Sequence, residues 1–148
     1  MDQRLRQLAD YLLTRKSAEE FYPASLRSEV LPQLYILQVE EGPERPKLRI
    51  RLAGRALDEA FGRSVAGHCL DEFIHGPRGK DVLEAFQNCA IGHRPIWMRQ
   101  VVRLRDRAPR FVEGIAVFLA PDRIYGGLVV GELGQSADDG ALESSPLP

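Results

Sequence analysis

The chain has 148 residues, 44% of them hydrophobic and 28% charged, with a formal net charge of −1. This length predicts one domain with its own core, and the near-neutral balance argues against a general electrostatic affinity for nucleic acid or membranes. Its two cysteines, Cys69 and Cys89, make no disulfide framework, and no apolar run approaches the roughly 20 residues of a membrane span.

The first residues lead into a charged amphipathic pattern rather than an apolar signal core, so a cytoplasmic location is expected. Leu5, Leu8 and Leu12 recur at helical spacing and predict a helix over Asp2–Arg15. The stripe is narrow, and so short a helix needs a surface to pack on. Phe21–Pro32 reads as a linker with a short helix at Ser25–Leu31, ended by Pro32. Leu34–Glu40 is β-rich and apolar. A turn cluster at Glu41–Pro46 follows, and Lys47–Ala53 alternates as a half-buried strand does. That alternation puts Leu48, Ile50 and Leu52 on the core side, with Arg49 and Arg51 facing away.

Gly54 ends this strand, and Arg55–Phe61 reads as a short helix with Gly62 at its C-cap. Gly67 punctuates the chain before His68–Ile74. The longest helix spans Arg78–Ala90, with Val82, Leu83, Phe86 and Ala90 on one face, and Gly92 and Pro95 stop it. Three strands close the sequence: Ile96–Arg105, Phe111–Ala120 and Ile124–Leu133. Residues 134–148 are rich in Gly, Ser, Asp and Pro, which predicts a disordered tail. The domain boundaries are therefore an N-terminal helix in residues 1–20, a domain in 21–133 and a tail in 134–148. The fold class is α+β, a five-stranded antiparallel sheet with helices on one face plus the N-terminal helix.

The order of two strands, a glycine-punctuated helical middle and three strands resembles a PAS domain. Gly54, Gly62, Gly67 and Asp71-Glu72-Phe73-Ile74 stand where PAS domains carry their short helical turns. A bacterial group of stand-alone PAS proteins is similar at Leu31-Pro32, Arg49–Gly54, Phe61-Gly62-Arg63, Gly67-His68 and Gly92–Pro95. The resemblance covers about Ser28 to Leu133. It implies a sensor or an adaptor in bacterial signal transduction.

Candidate chemistry is sparse. Flavin-binding light sensors of this superfamily use a cysteine in a Gly-x-Asn-Cys-Arg-Phe-Leu-Gln stretch. Gly67–His75 departs from it in spacing and in the Asn and Gln, so Cys69 reads as a small core residue. His68, Cys69, His75, Cys89 and His93 lack the spacing of a complete metal set, and His93 reads as a helix-end residue. Gly-x-Ser-x-Gly, P-loop and His-Glu-x-x-His motifs are absent, so the chain is not expected to be an enzyme. Arg99, Arg103, Arg105, Arg107 and Arg110 offer guanidinium forks for a phosphate, or a solvated strand face partly paired with acids. The residues favour the second.

With Arg103 set opposite Glu113, one face of the last three strands carries Met98, Gln100, Val102 and Leu104, then Val112, Gly114, Ala116 and Phe118, then Tyr125, Gly127 and Val129. Gly114, Ala116 and Gly127 leave space there, so a pocket is expected. Its ligand-binding residues are Phe73, Leu83, Phe86, Met98, Gln100, Ala116, Phe118 and Tyr125, with Gln100 and Tyr125 orienting the ligand. The sequence names neither ligand nor cofactor. The opposite face carries Trp97, Val101, Ile115, Val117 and Leu119, an apolar band that predicts a homodimer through this face and the N-terminal helix. The leading reading is a single-domain PAS sensor or adaptor with its output in trans, through a histidine kinase or a regulator. The alternatives are a ligand-free structural interaction module and a small pocket enzyme. No nucleic acid and no membrane are expected as partners.

Overall fold

The computed structural model describes residues 1–74, 76–102, 110–132 and 143–146. The architecture is α+β. Strands β1 (Leu34–Glu40), β2 (Lys47–Ala53), β3 (Ile96–Val102), β4 (Arg110–Leu119) and β5 (Arg123–Glu132) form an antiparallel sheet, and a short β6 (Glu143–Pro146) extends it. The strand order is β2-β1-β5-β4-β3-β6. Helices α2 (Arg55–Phe61) and α3 (Gly76–Gly92) cover one face. Helix α1 (Gln3–Leu13) covers the other. Each face has its own core because both sides of β1, β4 and β5 are apolar. The sheet is a shared wall.

Helix α1 starts at Asp2, whose carboxylate accepts the Arg4 N–H at 2.8 Å. That is the usual capping of an orphan helix donor. Leu5, Leu8, Ala9 and Leu12 are fully buried against β4 and β5. Their spacing makes one continuous stripe. Helix α2 ends at Gly62, which adopts φ 73° and closes the last turn. Helix α3 buries Val82, Phe86, Cys89 and Ala90, while Leu83 is only partly covered. The anticipated helix at Ser25–Leu31 is replaced by single 3-10 turns at Pro23–Ser25 and Leu31–Gln33, each with a proline in its first two positions.

Four features depart from the sequence reading. First, β2 pairs with β1 through a bulge between Ile36 and Leu37, where Leu37 meets Ile50 but Ile36 meets Leu52. The extra residue, Arg51, breaks the alternation. Leu48 and Ile50 are buried as anticipated, but Leu52 is 40% exposed. Arg51 is exposed.

Second, Glu113 stands opposite Arg99, not Arg103. Both arginines have the same strand parity, so charge pairing alone left the register open by four residues. The side assigned to each β3 and β4 residue is unaffected. The anticipated strand residues Arg103, Leu104 and Arg105, like Arg107, His75 and Leu133, lie outside the described residues.

Third, Leu119 pairs with Arg123 across the loop Ala120–Asp122. This pairing puts Ile124, Gly126 and Leu128 on the side of Gly114 and Ala116, and sends Tyr125, Gly127 and Val129 to the α1 side. A one-residue change of phase exchanges the two faces of a strand.

Fourth, Glu143–Pro146, within the segment read as a disordered tail, pairs with β3 from Ile96 to Arg99. Composition argues against a packed side-chain core, but main-chain pairing at an open edge needs none.

Candidate functional site

The face under α2 and α3 contains an apolar cavity of about 80 Å³. Its floor is the sheet: Tyr35 and Leu37 of β1, Met98 and Gln100 of β3, Val112 and Gly114 of β4, and Leu128 of β5. Leu57, Ala60 and Phe61 of α2, and Val82 and Phe86 of α3, roof it, with Leu70 and Ile74 between them. Gly114 brings no side chain to this floor.

Gly126 allows the Tyr35 ring to lie flat on the strand. A β-carbon there would stand 2.5 Å from the phenol carbon and oxygen, and would overlap the Ile115 carbonyl oxygen. The Tyr35 hydroxyl donates to that same carbonyl at 2.8 Å. Burial holds its pKa well above the ordinary phenol value, so it stays neutral. Behind Tyr35, Cys89 is buried, and burial pushes its thiol up to about 11. The cavity therefore presents a neutral phenol already engaged and one primary amide, Gln100, with the protonated thiol behind the phenol. No charged side chain lines it, and the half-buried amide is available as both donor and acceptor. General acid–base work at neutral pH has no titrating group among these side chains.

A thiol assay checks this environment. At pH 8, Cys89 in the folded protein should react with an aromatic disulfide reagent at least about 100-fold more slowly than in denaturant, because the thiolate is the nucleophile. Rapid titration of both cysteines in the native protein would contradict the burial of this thiol.

The residues expected to bind a ligand divide among several places. Phe86, Met98 and Gln100 line the cavity. Ala116 faces the same side but is sealed under Cys89, whose Sγ lies 4.0 Å from its carbonyl oxygen. Phe118 stacks on His93, with ring centroids 3.8 Å apart and planes within 5°. Phe73 packs between Phe61, His68 and the Arg63 guanidinium, beside the cavity wall. Leu83 lines a shallower surface groove with Arg45, Lys47, Asp71 and Gln87. Tyr125 lies in the α1 core, its ring 4.5 Å from that of Phe21 and its hydroxyl 3.5 Å from Arg123. It cannot orient a ligand in this cavity. The phase of β5 separates it.

Sequence reasoning missed Tyr35, Leu37, Leu57, Phe61 and Val82. Leu34–Val39 is apolar on both sides except for Gln38, so no period identified the inner face. For Leu57 and Phe61 the i, i+4 spacing was a usable signal.

His68 and Glu72 pair at 3.4 Å. The Glu72 carboxyl is held below its ordinary range, first by the Cys69 N–H at 2.8 Å and then by His68. This is a capping arrangement for the 3-10 turn Leu70–Glu72. Among the described residues, no three His, Cys, Asp or Glu side chains converge to hold a metal ion. None of the described helices is long and apolar enough to cross a membrane. The chain matches no known family model, no curated protein and no solved structure.

Proposed function

We propose that this protein is a PAS-type sensor or adaptor that takes a small, uncharged, mainly apolar ligand into the cavity over β3 and β4 and acts through a separate chain. The observation that carries this reading is the cavity itself, apolar on almost every side and provided with a single amide at Gln100. The element order of two strands, short helical turns, a longer helix and three strands supports the PAS assignment. A histidine kinase or response regulator in the cytoplasm is the partner class this reading implies. The protein is not an enzyme in this reading, since the groups facing the cavity are neutral.

The volume favours a second reading as well. Drug-sized ligands occupy pockets of about 300–1,000 Å³, and about 80 Å³ accommodates far less. A ligand-free interaction module with an imperfectly filled core has the same appearance. Native mass spectrometry and absorbance of the purified protein, together with Ala60→Leu, separate the two. Under the sensor reading a small molecule copurifies with the wild type and is lost when leucine fills the cavity. Under the module reading nothing copurifies, and Ala60→Leu leaves stability unchanged or raises it. A ligand retained by Ala60→Leu would place binding elsewhere and end the cavity assignment.

Homodimerisation through the outer face belongs to the same proposal, with a reduced surface. Helix α1 already covers Ile115, Val117 and Leu119, and leaves Trp97, Val101 and Phe111 half-buried as the remaining apolar patch.

A further inference from the structure

We propose that the cavity over β3 and β4 is a dry site sized for an uncharged, apolar molecule of about three heavy atoms. This rests on the void and its lining alone, not on the sensor reading. The first consideration is water. A buried water needs roughly 10–15 Å³ and two to four polar partners. The cavity, at about 80 Å³, has room for several. Its lining cannot hold them. The Tyr35 hydroxyl is engaged by the Ile115 carbonyl at 2.8 Å, and the main chains of β3, β4 and β5 are paired within the sheet. That leaves the Gln100 amide, a single group on one wall. It can hold a water beside itself, but the deeper lining, such as Leu57, Val82, Phe86 and Met98, offers no hydrogen bond. Apolar cavities of this kind stay dry and take apolar guests.

Volume sets the size of the guest. An engineered cavity of about 150 Å³ with a comparable aliphatic and aromatic lining holds benzene, which has six heavy atoms. About half that volume, about 80 Å³, corresponds to about three. A guest of that size, at the ceiling of binding free energy per atom, reaches a Kd on the order of millimolar. Access is at the rim, where Phe61, Ile74, Gln100 and Leu128 are the half-buried members of an otherwise buried lining.

Two substitutions fill the void from different walls. Ala60→Leu brings three carbons from the α2 roof. Gly114→Ala brings one from the floor. Its β-carbon would stand 3.3 Å from the Leu128 Cδ1 and from the Gly127 carbonyl oxygen, so its neighbours need to yield by only a few tenths of an ångström.

The test uses the full chain, with methyl resonances as the readout and xenon as the first probe. Under xenon pressure the methyls of Leu57, Val82 and Leu128 should shift and saturate at concentrations on the order of millimolar. Those of Leu5, Leu8 and Leu12, in the outer core, should not. Dichloromethane, with three heavy atoms, should compete with xenon, and benzene should bind at least about tenfold more weakly than dichloromethane because it overpacks the site. Ala60→Leu should abolish the xenon shifts, and Gly114→Ala should weaken binding at least about threefold. The second variant carries the test if the first does not fold. Unmoved inner methyls under xenon, or xenon shifts unchanged in Gly114→Ala, would overturn the proposal. So would benzene binding the unmodified chain as tightly as dichloromethane. Magnetisation transfer from long-lived water to the Val82 and Met98 methyls would show a wet cavity and end it as well. A larger molecule that copurifies in the cavity would support the sensor reading and overturn this one, so the two fail separately.

Discussion

Gly126→Ala should be among the most damaging single substitutions in the chain. The added methyl group overlaps the Ile115 carbonyl oxygen, which is main chain and cannot rotate away, and it stands 2.5 Å from the Tyr35 phenol. Relief requires β4 and β5 to separate locally or Tyr35 to leave the floor of the cavity. Either movement breaks the 2.8 Å bond from the Tyr35 hydroxyl to Ile115. Overpacking a dense core costs about 1–3 kcal/mol, and an unmet buried polar group adds about 1–3 kcal/mol. A loss of at least about 3 kcal/mol is expected, a large share of the roughly 5–15 kcal/mol that holds a typical domain. Urea unfolding measures it through the midpoint at constant slope. Adding Tyr35→Leu should restore only part of the loss, because the overlap with the Ile115 carbonyl remains. A variant as stable as the wild type would show that Tyr35 does not lie against this strand.

The second large effect concerns the opposite face. Deleting residues 1–15 should expose the band formed by Ile115, Val117, Leu119 and Tyr125. In the intact protein Leu5, Leu8 and Leu12 are completely buried on that band. Each leucine contributes about 1.5–3 kcal/mol by burial. The seat is specific: the δ-carbons of Leu8 and Leu5 lie 2.7 and 2.9 Å from where a β-carbon at Gly127 would stand. A polar latch joins the same surfaces. Glu113, only 6% exposed, accepts the Asp2 N–H at 2.7 Å and the Trp97 indole N–H at 2.8 Å, and the Arg99 guanidinium lies 3.9 Å from it. Truncation removes the first of these bonds. The truncated chain is expected to aggregate or to sediment as higher oligomers at micromolar concentration, with the emission of Trp97 shifted to the red. A monomeric truncated chain with unchanged thermal stability would show that α1 contributes little to the outer core.

The two experiments probe neighbouring residues. Gly126 faces Tyr35 in the inner core and Gly127 faces α1, so one strand position separates the two cores. Adjacent glycines let an aromatic ring from one side and a leucine pair from the other approach the same backbone. This explains why so small a sheet supports two buried layers.

The sequence by itself determined the longer helices and β1–β5 and their order, but not β6 or the 3-10 turns before β1. Leu34–Glu40, Lys47–Ala53 and Arg55–Phe61 have the bounds anticipated from turn residues and periodicity. The remaining main elements, where described, differ by a few residues at their ends. It also determined which side of β3 and β4 each residue takes, because alternation is a covalent property of an extended chain. The leucine stripe of α1 likewise required a surface to cover.

Only the tertiary structure decided how the strands are phased against each other. The face of Tyr125 depends on the pairing of Leu119 with Arg123, and Ile124–Val130 is too apolar on both sides to reveal it. The exposure of Leu52 depends on a bulge set by the partner strand. Arg99 and Arg103 were equivalent partners for Glu113 until the hairpin register chose between them. The seat of α1 on the outer face depends on Gly127 and on Glu113 beside Trp97. These are relations between segments distant in sequence, and phase between strands is settled by packing across them rather than by any local preference.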